Sequence, residues 1–302
     1  MRVEREAARL GGGRRAVAIG TFDGVHLGHR QILAAAVAAG LSPMVVTFDP
    51  HPRITFGYEV ELLTTLERRL ELLAEAGIVD ALVVDFDLEF AQLEPEAFVE
   101  AFLRPLGTEV VVAGPDFRFG HRRSGDLALL GRLGFDVRTV PLIEGVSSSR
   151  IRDLLRAGEI ERAAGLLGRA PEVEGLVVAG DARGGTLGFP TANLRVDPGL
   201  LVPAHGIYAG AADGHRAAIS IGTNPHYGGE ERRVEAFLLD FSGDLYGRKL
   251  VLQLWQRLRD EAAFATEEEL IAQIARDVEQ TRAARPPLEA AAQPEKGAET
   301  GG

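Results

Sequence analysis

The chain has 302 residues, which is long enough for two domains with separate cores. Its net charge of -11 disfavours a surface that binds nucleic acid or an anionic membrane, because both are bound through excess Lys and Arg. It has no cysteine, which excludes disulfides and thiolate chemistry and fits the reducing cytoplasm in which we expect the protein to act.

Two further classes are disfavoured. No run approaches the ~18 apolar residues of a membrane span, and residues 1–10 have no apolar signal segment, so we expect neither a membrane partner nor secretion. The only lysines are Lys249 and Lys296, and neither stands in the Gly-Lys-Ser/Thr loop of a Walker site. If the chain handles ATP, it must use histidines, arginines and backbone amides.

The first half alternates strand and helix patterns, which predicts a parallel sheet with crossover helices and an α/β, Rossmann-like domain over residues 1–170. The segments that we interpret as its strands are 15–19, 43–48, 81–86, 109–113 and 136–140.

The first of these strands turns into a helix through the glycine-rich segment Gly20–His29. Backbone N–H groups at the helix start favour an anion, and Gly24 and Gly28 let the chain approach it closely. His26 and His29 would add hydrogen-bond donors at the same point. A solvated loop and a pair of metal ligands are the alternatives. The metal alternative is weakened by the lack of cysteine and of a His-Glu-x-x-His motif.

Three other segments of the first half are candidates for ligand binding. Asp49–Pro52 follows a strand, and open α/β sheets bind ligands at that edge. Gly114–Gly125 mixes arginine with phenylalanine, which suits a flat aromatic ligand bearing phosphate, although a solvated loop is the alternative. Ser147–Ser149 precede Arg150 and Arg152 at a helix start. A simple N-cap needs one serine, and basic residues in a first turn oppose the helix dipole, so we expect an anion there.

From Pro171 onward the strand-like runs follow one another without helices, which predicts a β-barrel or sandwich over residues 171–283. The runs are 172–179, 206–211, 216–221, 234–241 and 249–258. Thr266 opens a capping box before one amphipathic helix, which we expect to cover the barrel. The tail, 284–302, is rich in Ala, Pro, Glu and Gly and is expected to be disordered.

Two features of the second half suggest chemistry. The segment Gly180–Leu194 is too long and too glycine-rich for a plain hairpin turn, and its backbone amides would suit phosphates. Within it, Thr191 and Asn193 offer neutral oxygens of the kind that Mg²⁺ accepts. Glu235 is a single acid in an apolar strand. It either faces outward at no cost or faces a cavity as a general base.

Together these motifs closely resemble the bifunctional bacterial riboflavin kinase/FAD synthetase family over about residues 15–282. The first half is similar to the FMN adenylyltransferase module in Gly20-Thr-Phe-Asp-Gly-Val-His-Leu-Gly-His29, Phe48-Asp-Pro-His-Pro52, Asp116-Phe-Arg-Phe-Gly120 and Ser147-Ser-Ser-Arg-Ile-Arg152. The second half is similar to the riboflavin kinase module in Leu187-Gly-Phe-Pro-Thr-Ala-Asn-Leu194, Gly206-Ile-Tyr-Ala209, Gly222-Thr-Asn-Pro225 and Glu235-Ala-Phe-Leu-Leu-Asp-Phe241. The resemblance implies a nucleotidyltransferase domain followed by a six-stranded antiparallel β-barrel with a C-terminal helix.

The resemblance also implies two reactions that use ATP as co-substrate. In the barrel, riboflavin takes the γ-phosphoryl group of ATP and becomes FMN. Glu235 would accept the hydroxyl proton, while Thr191 and Asn193 would hold Mg²⁺. In the α/β domain, FMN attacks the α-phosphorus of a second ATP to give FAD and pyrophosphate. His26 and His29 would stabilise charge on that triphosphate.

The remaining implied site residues bind substrate or nucleotide. Ser148, Ser149 and Arg152 would hold the leaving phosphates, and four residues would line the nucleotide and flavin side: His51, Asp116, Phe117 and Phe119. Further implied binding positions are Gly20, Phe22, Asp23, Gly24, Gly28, Gly180, Gly188, Phe189, Pro190 and Asn224. The implied partners are riboflavin, FMN and ATP, and a homo-oligomer is compatible with the sequence.

A few positions depart from the family pattern. Ser149 stands where Thr is usual and keeps the hydroxyl, whereas Gly185 stands where Arg is frequent and removes a phosphate contact. His226-Tyr227 replaces Thr-Phe, and Phe237 replaces His.

Two other functions are alternatives. An adenylyltransferase for another phosphomonoester would explain Gly20–His29 but would leave Glu235 without a role. A non-catalytic flavin- or nucleotide-binding regulator would be expected to have lost Glu235, Thr191 or the histidine pair.

Overall fold

The computed structural model describes residues 1–180, 189–223 and 232–287. The chain divides into two compact units, Met1–Ser148 and Ser149–Gly302. The domain boundaries predicted at residues 170 and 283 stay predictions. Within the described ranges, no helix has both the length and the apolar character that crossing a membrane requires.

The first unit is built on a six-stranded, all-parallel sheet, as the alternating pattern predicts. Its strands are β1 (Arg2–Glu4), β2 (Arg15–Ile19), β3 (Ser42–Asp49), β4 (Asp80–Asp85), β5 (Thr108–Ala113) and β6 (Asp136–Thr139). Its helices are α1 (Ala7–Leu10), α2 (Leu27–Val37), α3 (Pro52–Thr55), α4 (Leu66–Glu75), α5 (Pro95–Phe98) with a π-helical continuation at 99–103, and α6 (Leu127–Arg132). The strand order is β1-β4-β3-β2-β5-β6.

The central strands contain continuous apolar stretches because both faces of the sheet are covered. All five residues of β2 are buried. Val17 and Ile19 belong to the core on one face of the sheet, and Ala16 and Ala18 belong to the core on the other. This is the burial that makes a parallel strand a continuous apolar run rather than an alternating one.

The N-terminal segment forms an edge strand that the sequence pattern did not predict. β1 pairs in parallel with β4. The guanidinium of Arg15, which is 5% exposed, donates to the Asp80 carboxylate at 3.1 Å and also to the carbonyl of Leu10 at 3.0 Å. The Arg15 guanidinium thus joins β2 to β4 through a buried ion pair and holds the segment before β2 through the Leu10 carbonyl.

The strand order places a crevice where the chain reverses direction across the sheet. From β2 the chain adds β3 and β4 on one side, and it then returns to add β5 and β6 on the other. Ligands bind at such a switch point, outside the carboxyl ends of the strands. The segments that follow β2 and β5, Gly20–His29 and Gly114–Gly125, both begin at this edge.

The second unit contains a closed six-stranded barrel. Its strands are β7 (Glu172–Val178), β8 (Ala192–Arg195), β9 (Gly206–Ala212), β10 (His215–Thr223), β11 (Arg232–Leu238) and β12 (Lys249–Arg259), in the order β10-β11-β8-β7-β12-β9. Its helices are α7 (Ser148–Arg156), which begins on the last residue of the first unit, α8 (Ile160–Leu167) and α9 (Glu267–Ala283). All described pairings of the barrel are antiparallel.

Alternation along the strands fills the barrel. Val234, Ala236 and Leu238 of β11 are each at most 5% exposed, and the residues between them are less covered. The predicted amphipathic helix is α9, which is capped by Thr266 and packs against β9 and β10. The interpretation of 180–194 as one long loop is wrong at its end, because 192–195 form strand β8.

Candidate active sites of the two units

The turn after β2 has a strained backbone. Gly24 has a φ of 79°, which glycine adopts readily, but its neighbours Phe22 and Val25 also have positive φ, at 51° and 40°. A β-branched residue in this region is an outlier that surrounding structure must hold in place. A hydrogen bond from Val25 N to Phe22 O, 3.0 Å long, closes the bend. The predicted glycine-rich bend is therefore a tight, strained connection into α2.

The two histidines of this turn stack on each other. Their ring centroids are 3.6 Å apart with an interplanar angle of 14°. His26 is the N-cap of α2, since its Nδ1 accepts a hydrogen bond from the His29 backbone N–H at 3.3 Å. A Cβ on Gly28 would come within 3.2 Å of the His26 ring, so glycine lets this ring lie over the start of the helix. The structure thus brings the predicted pair together at a helix N-terminus, where an anion is favoured.

His29 is held in its uncharged form by its surroundings. Burial lowers the pKa of His29 well below its ordinary value of 6.5, and the nearby His26 and Arg69 lower it further. Its Nδ1 is buried without a hydrogen-bond partner among the described residues. The neutral ring can therefore donate a hydrogen bond without carrying a full charge.

Phe22 and Asp23 hold the turn in place from within. Both are 1% exposed. The Asp23 carboxylate accepts from the backbone N–H of Leu63 at 2.9 Å and of Thr64 at 3.3 Å. Thr64 Oγ1 in turn accepts from Gly24 N at 3.3 Å. In this arrangement Asp23 anchors the turn to the segment before α4.

Arg69 is a buried cation that the sequence reading did not identify. It lies on α4 and is 4% exposed. Its Nη1 donates to Thr21 O at 2.8 Å and its Nη2 to Phe48 O at 3.1 Å. Burial lowers its pKa, which Asp23, Asp49 and Glu67 partly restore.

The serine segment before α7 reaches the histidine turn through Ser148. The Ser148 hydroxyl donates to the backbone carbonyl of Asp23 at 3.0 Å. A Cβ on Gly28 would lie 4.0 Å from Val146, so the two segments are neighbours within the first unit. Ser149 is exposed on the first turn of α7, and Arg152 on the same helix is 6% exposed.

The other predicted binding residues of the first unit differ in accessibility. His51 caps the short helix α3, because its Nδ1 accepts from Arg53 N at 3.2 Å. Asp116 is exposed, and Phe117 is partly buried and stacks on Phe119 at 5.7 Å between ring centroids. Phe119 is 8% exposed and belongs to the core, so Phe117 presents more surface to a ligand.

The second candidate site lies on the barrel, where β8 and β11 pair. Asn193 is the direct cross-strand partner of Glu235. Directly opposed residues of antiparallel strands project from the same face, so the amide and the carboxylate are neighbours. Glu235 lies on the face opposite to Val234 and Ala236, outside the barrel core, yet its side chain is only 21% exposed. Of the two alternatives for Glu235, the outward-facing one is therefore correct for the direction of the side chain, although the carboxylate is largely covered.

Arg233 joins the two side chains of this site. Its Nη2 donates to Glu235 Oε1 at 2.6 Å and lies 3.4 Å from Asn193 Oδ1. Gly180 makes room for the amide, because a Cβ there would be 2.2 Å from Asn193 Nδ2. Phe189 packs edge-on against Phe237 at 5.4 Å.

The remaining predicted residues of this site are only partly described. Thr191 is partly buried directly before β8, and Pro190 is exposed. Gly188 and Asn224 lie outside the described residues, as do Gly185 and His226-Tyr227.

The sequence motifs identified neither Arg69 nor Arg233, but the pattern around each residue indicates it. Arg69 stands on the apolar face of α4, where Leu66, Leu72 and Leu73 recur at helical spacing, and a charge in such a stripe is expensive unless it has a role. Arg233 stands two residues before Glu235, and positions i and i+2 of a strand share a face. In each case the residue is identified only by its relation to a neighbour, not by a motif.

Comparison with known proteins assigns a class to each half of the chain. The family model described as FAD synthetase matches residues 12–151, and the model described as riboflavin kinase matches residues 167–285. The chain is therefore a two-part transferase, with a nucleotidyltransferase unit followed by a kinase unit.

Relatives over nearly the whole length identify the family. The bifunctional riboflavin kinase/FMN adenylyltransferase of Listeria monocytogenes is 38% identical over 288 residues, which cover 89% of this chain and 92% of the relative. The enzyme of the same description from Escherichia coli is 38% identical over 279 residues, covering 86% and 89%. The chain belongs to the family of bifunctional riboflavin kinase/FMN adenylyltransferases.

A solved structure shares the fold. It is titled as a macrolide-efflux protein from Streptococcus pneumoniae, and it matches with a TM-score of 0.83 and 30% sequence identity. The match covers 93% of this chain and 98% of that one.

Proposed function

We propose that this chain makes FMN from riboflavin in its barrel unit and FAD from FMN in its α/β unit, with ATP as co-substrate of both steps, and that the two residue clusters described above carry the chemistry. The observation that carries the proposal is that each unit, which matches one of the two family models, has a polar cluster of its own. The stacked histidines begin a helix at the switch point of the sheet. The Asn193–Glu235 pair lies on the barrel wall.

In the kinase step, Glu235 is the general base. It accepts the proton of the ribityl 5′-hydroxyl while that oxygen forms its bond to the γ-phosphorus and the bond from phosphorus to the leaving ADP oxygen breaks. Its 21% exposure and its contact with Arg233 at 2.6 Å support this role, because the carboxylate is both reachable and oriented. Positioning and charge neutralisation supply most of the acceleration in such transfers.

Thr191 and Asn193 are the residues that we propose to hold Mg²⁺ in the kinase unit. Hydroxyl and amide oxygens are hard ligands that Mg²⁺ accepts together with water and phosphate oxygens. Gly180 supports the fit, because its lack of a side chain leaves room for the Asn193 amide. The ion would neutralise charge on the ATP phosphates.

In the adenylyltransferase step, no protein nucleophile is required. A phosphate oxygen of FMN attacks the α-phosphorus of ATP, and the bond to the β-phosphate breaks to release pyrophosphate. His26 and His29 donate hydrogen bonds to the oxygens on which charge accumulates, at the positive end of the α2 dipole. The low pKa of His29 favours a neutral donor.

Other residues bind the substrates of this step in the proposal. Ser148, Ser149 and Arg152 bind the leaving phosphates. His51, Asp116, Phe117 and Phe119 line the nucleotide and flavin side, with Phe117 offering the more accessible ring.

The proposal is tested by incubating the purified full chain with ATP, Mg²⁺ and either riboflavin or FMN, and by following the products by chromatography. Riboflavin should give FMN and then FAD, and FMN should give FAD with one pyrophosphate released per turnover. Formation of FMN alone would remove the adenylyltransferase assignment. Formation of FAD from FMN, but no FMN from riboflavin, would remove the kinase assignment.

A further inference from the structure

We infer that Arg69 is a positioning residue for adenylyl transfer: its buried guanidinium fixes the turn Gly20–His29 against the carboxyl end of β3 and thereby sets where the two histidines lie. The inference rests on the proposed adenylyltransferase function of the first unit.

One acceptor of Arg69 lies in the turn that follows β2, and the other lies at the matching place on β3. The last register pair of β2 with β3 is Ile19 with Val46, and Gly20 N continues the ladder to Val46 O at 3.1 Å. Two residues further along each chain are Thr21 and Phe48, whose carbonyls accept from the two terminal nitrogens of Arg69. Where the turn leaves the sheet, the guanidinium takes the place of the backbone hydrogen bonds that join β2 and β3.

A planar fork suits this task better than other cations. Its two terminal N–H groups reach two carbonyls at once, at 2.8 Å and 3.1 Å, with fixed relative geometry. Thr47 Oγ1 also donates to Thr21 O at 3.2 Å, which adds a second link between the turn and β3. Because Phe22 and Val25 have strained backbone conformations, the turn needs such restraints to keep one shape.

The position of the charge is unusual for a purely structural residue. Arg69 is 4% exposed, and its Nε is buried without a partner among the described residues. A buried N–H donor that makes no hydrogen bond costs free energy of folding, and an apolar side chain would avoid that cost. A guanidinium at this place is explained if the site benefits from its positive charge and its two-pronged contact.

The charge also acts on His29. The titratable and charged groups that influence His29 are His26, on its own turn, and Arg69, from α4; those that influence Arg69 are Asp23, Asp49 and Glu67. Arg69 lowers the pKa of His29, after burial and His26. Removing the cation should therefore let the pKa of His29 rise toward 6.5.

The test compares Arg69→Met, Arg69→Lys and Arg68→Met in the full chain. Arg68 is the adjacent arginine of α4, and its side chain, which is 15% exposed, pairs with Glu71 at 2.7 Å and with Glu75 at 3.3 Å on the same helix. Its substitution is therefore the control for the loss of a neighbouring guanidinium. Two activities are measured, FMN to FAD and riboflavin to FMN. The pKa of His29 is measured by NMR titration of its ring protons in the ligand-free protein.

For Arg69→Met we expect FAD formation to fall about 100-fold, as for a site displaced by about 1 Å, with riboflavin phosphorylation unchanged and a higher His29 pKa. Arg69→Lys keeps the charge but not the fork, so the pKa of His29 should stay low while FAD formation recovers only in part. Arg68→Met should match the wild type in all three measurements.

FAD formation within threefold of the wild type in Arg69→Met would overturn the inference, and so would an unchanged His29 pKa in a variant that has lost FAD formation. If Arg69→Met does not fold, Arg69→Lys decides, since full FAD formation without the fork would contradict a positioning role. A wild-type chain that makes no FAD would instead refute the proposed function.

Discussion

Arg233 and Glu235 stand on the same face of β11 and form an ion pair of 2.6 Å across the outer wall of the barrel. The contact holds the carboxylate beside its cross-strand neighbour Asn193. It also allows a clean test of the base, because a glutamine at position 235 can still accept from the Arg233 guanidinium through its amide oxygen.

Glu235→Gln should abolish the proton acceptor and preserve the contact with Arg233. We expect the rate of FMN formation from riboflavin to fall about 10²- to 10⁴-fold, the usual contribution of a general base. Conversion of added FMN to FAD should be unaffected. Glu279→Gln, on the exposed surface of α9, is the control for loss of a carboxylate in the same unit. Equal loss of both activities in folded Glu235→Gln would contradict the assignment of separate sites.

Gly180→Ala should disable the kinase unit through Asn193. The new Cβ would lie 2.2 Å from Asn193 Nδ2, and the short amide side chain must rotate away to relieve the contact. A displacement of about 1 Å in a group that positions the substrates can lower the rate about 100-fold. We therefore expect riboflavin phosphorylation to slow by about that factor. Gly165→Ala on α8, where a Cβ meets nothing within 4 Å, should leave both activities intact. A fully active Gly180→Ala would show that the Asn193 amide is not needed in its present place.

His29 should make the first unit less stable in mild acid. Its pKa in the folded chain is below its ordinary value of 6.5, so the unfolded state binds a proton more readily than the folded state does. The free energy of unfolding is then highest above about pH 7 and falls as the pH drops below 6.5. Hydrogen exchange of the β2 amides at pH 5.5 and 7.5 measures this difference.

His29→Asn should reduce that pH dependence between 5.5 and 7.5, because it removes the group whose pKa burial lowers. An unaltered dependence in His29→Asn would assign the acid sensitivity to other groups.

Arg15→Met should destabilise the first unit strongly. It removes the buried partner of Asp80 and leaves that carboxylate to Arg2, whose side chain is 49% exposed. Breaking a buried pair costs about 3–5 kcal/mol, and the remaining contact with Arg2 points to the lower end. The neighbouring Arg14→Met is the control, because Arg14 pairs with Glu109 in solvent and should contribute nothing measurable. Thermal unfolding of the two variants at neutral pH gives the comparison.

The architecture was largely predictable because periodicity reports burial directly. Apolar runs predicted β2 to β5, and strand-like runs that follow one another without helices predicted five barrel strands. The short strand β8 was missed because its four residues carry little alternation and follow a glycine-rich segment. β1 was missed because only one of its residues is apolar and its pairing is with β4, far along the chain. Such strands are defined by their neighbours in space.

The site divides in the same way. Motif spacing predicted the histidine pair and the Asn193 and Glu235 positions, because each stands in a recognisable local context. Motif spacing did not predict that the Asp23 carboxylate accepts the backbone hydrogen bonds that anchor the turn, or that Phe119 belongs to the core. Arg69 and Arg233 were not predicted because no motif marks them: Arg69 contacts the turn and β3 from a helix, and Arg233 contacts Glu235 along one face of a strand.

The pairing of β7 with β12 means that the first and last strands of the barrel are neighbours. The kinase half therefore cannot close until the ribosome has delivered almost all of the chain, whereas the sheet of the first unit is complete once β6 has emerged. The half that performs the later chemical step is the earlier one to mature, and a nascent chain can be ready to adenylylate FMN before it is able to make any.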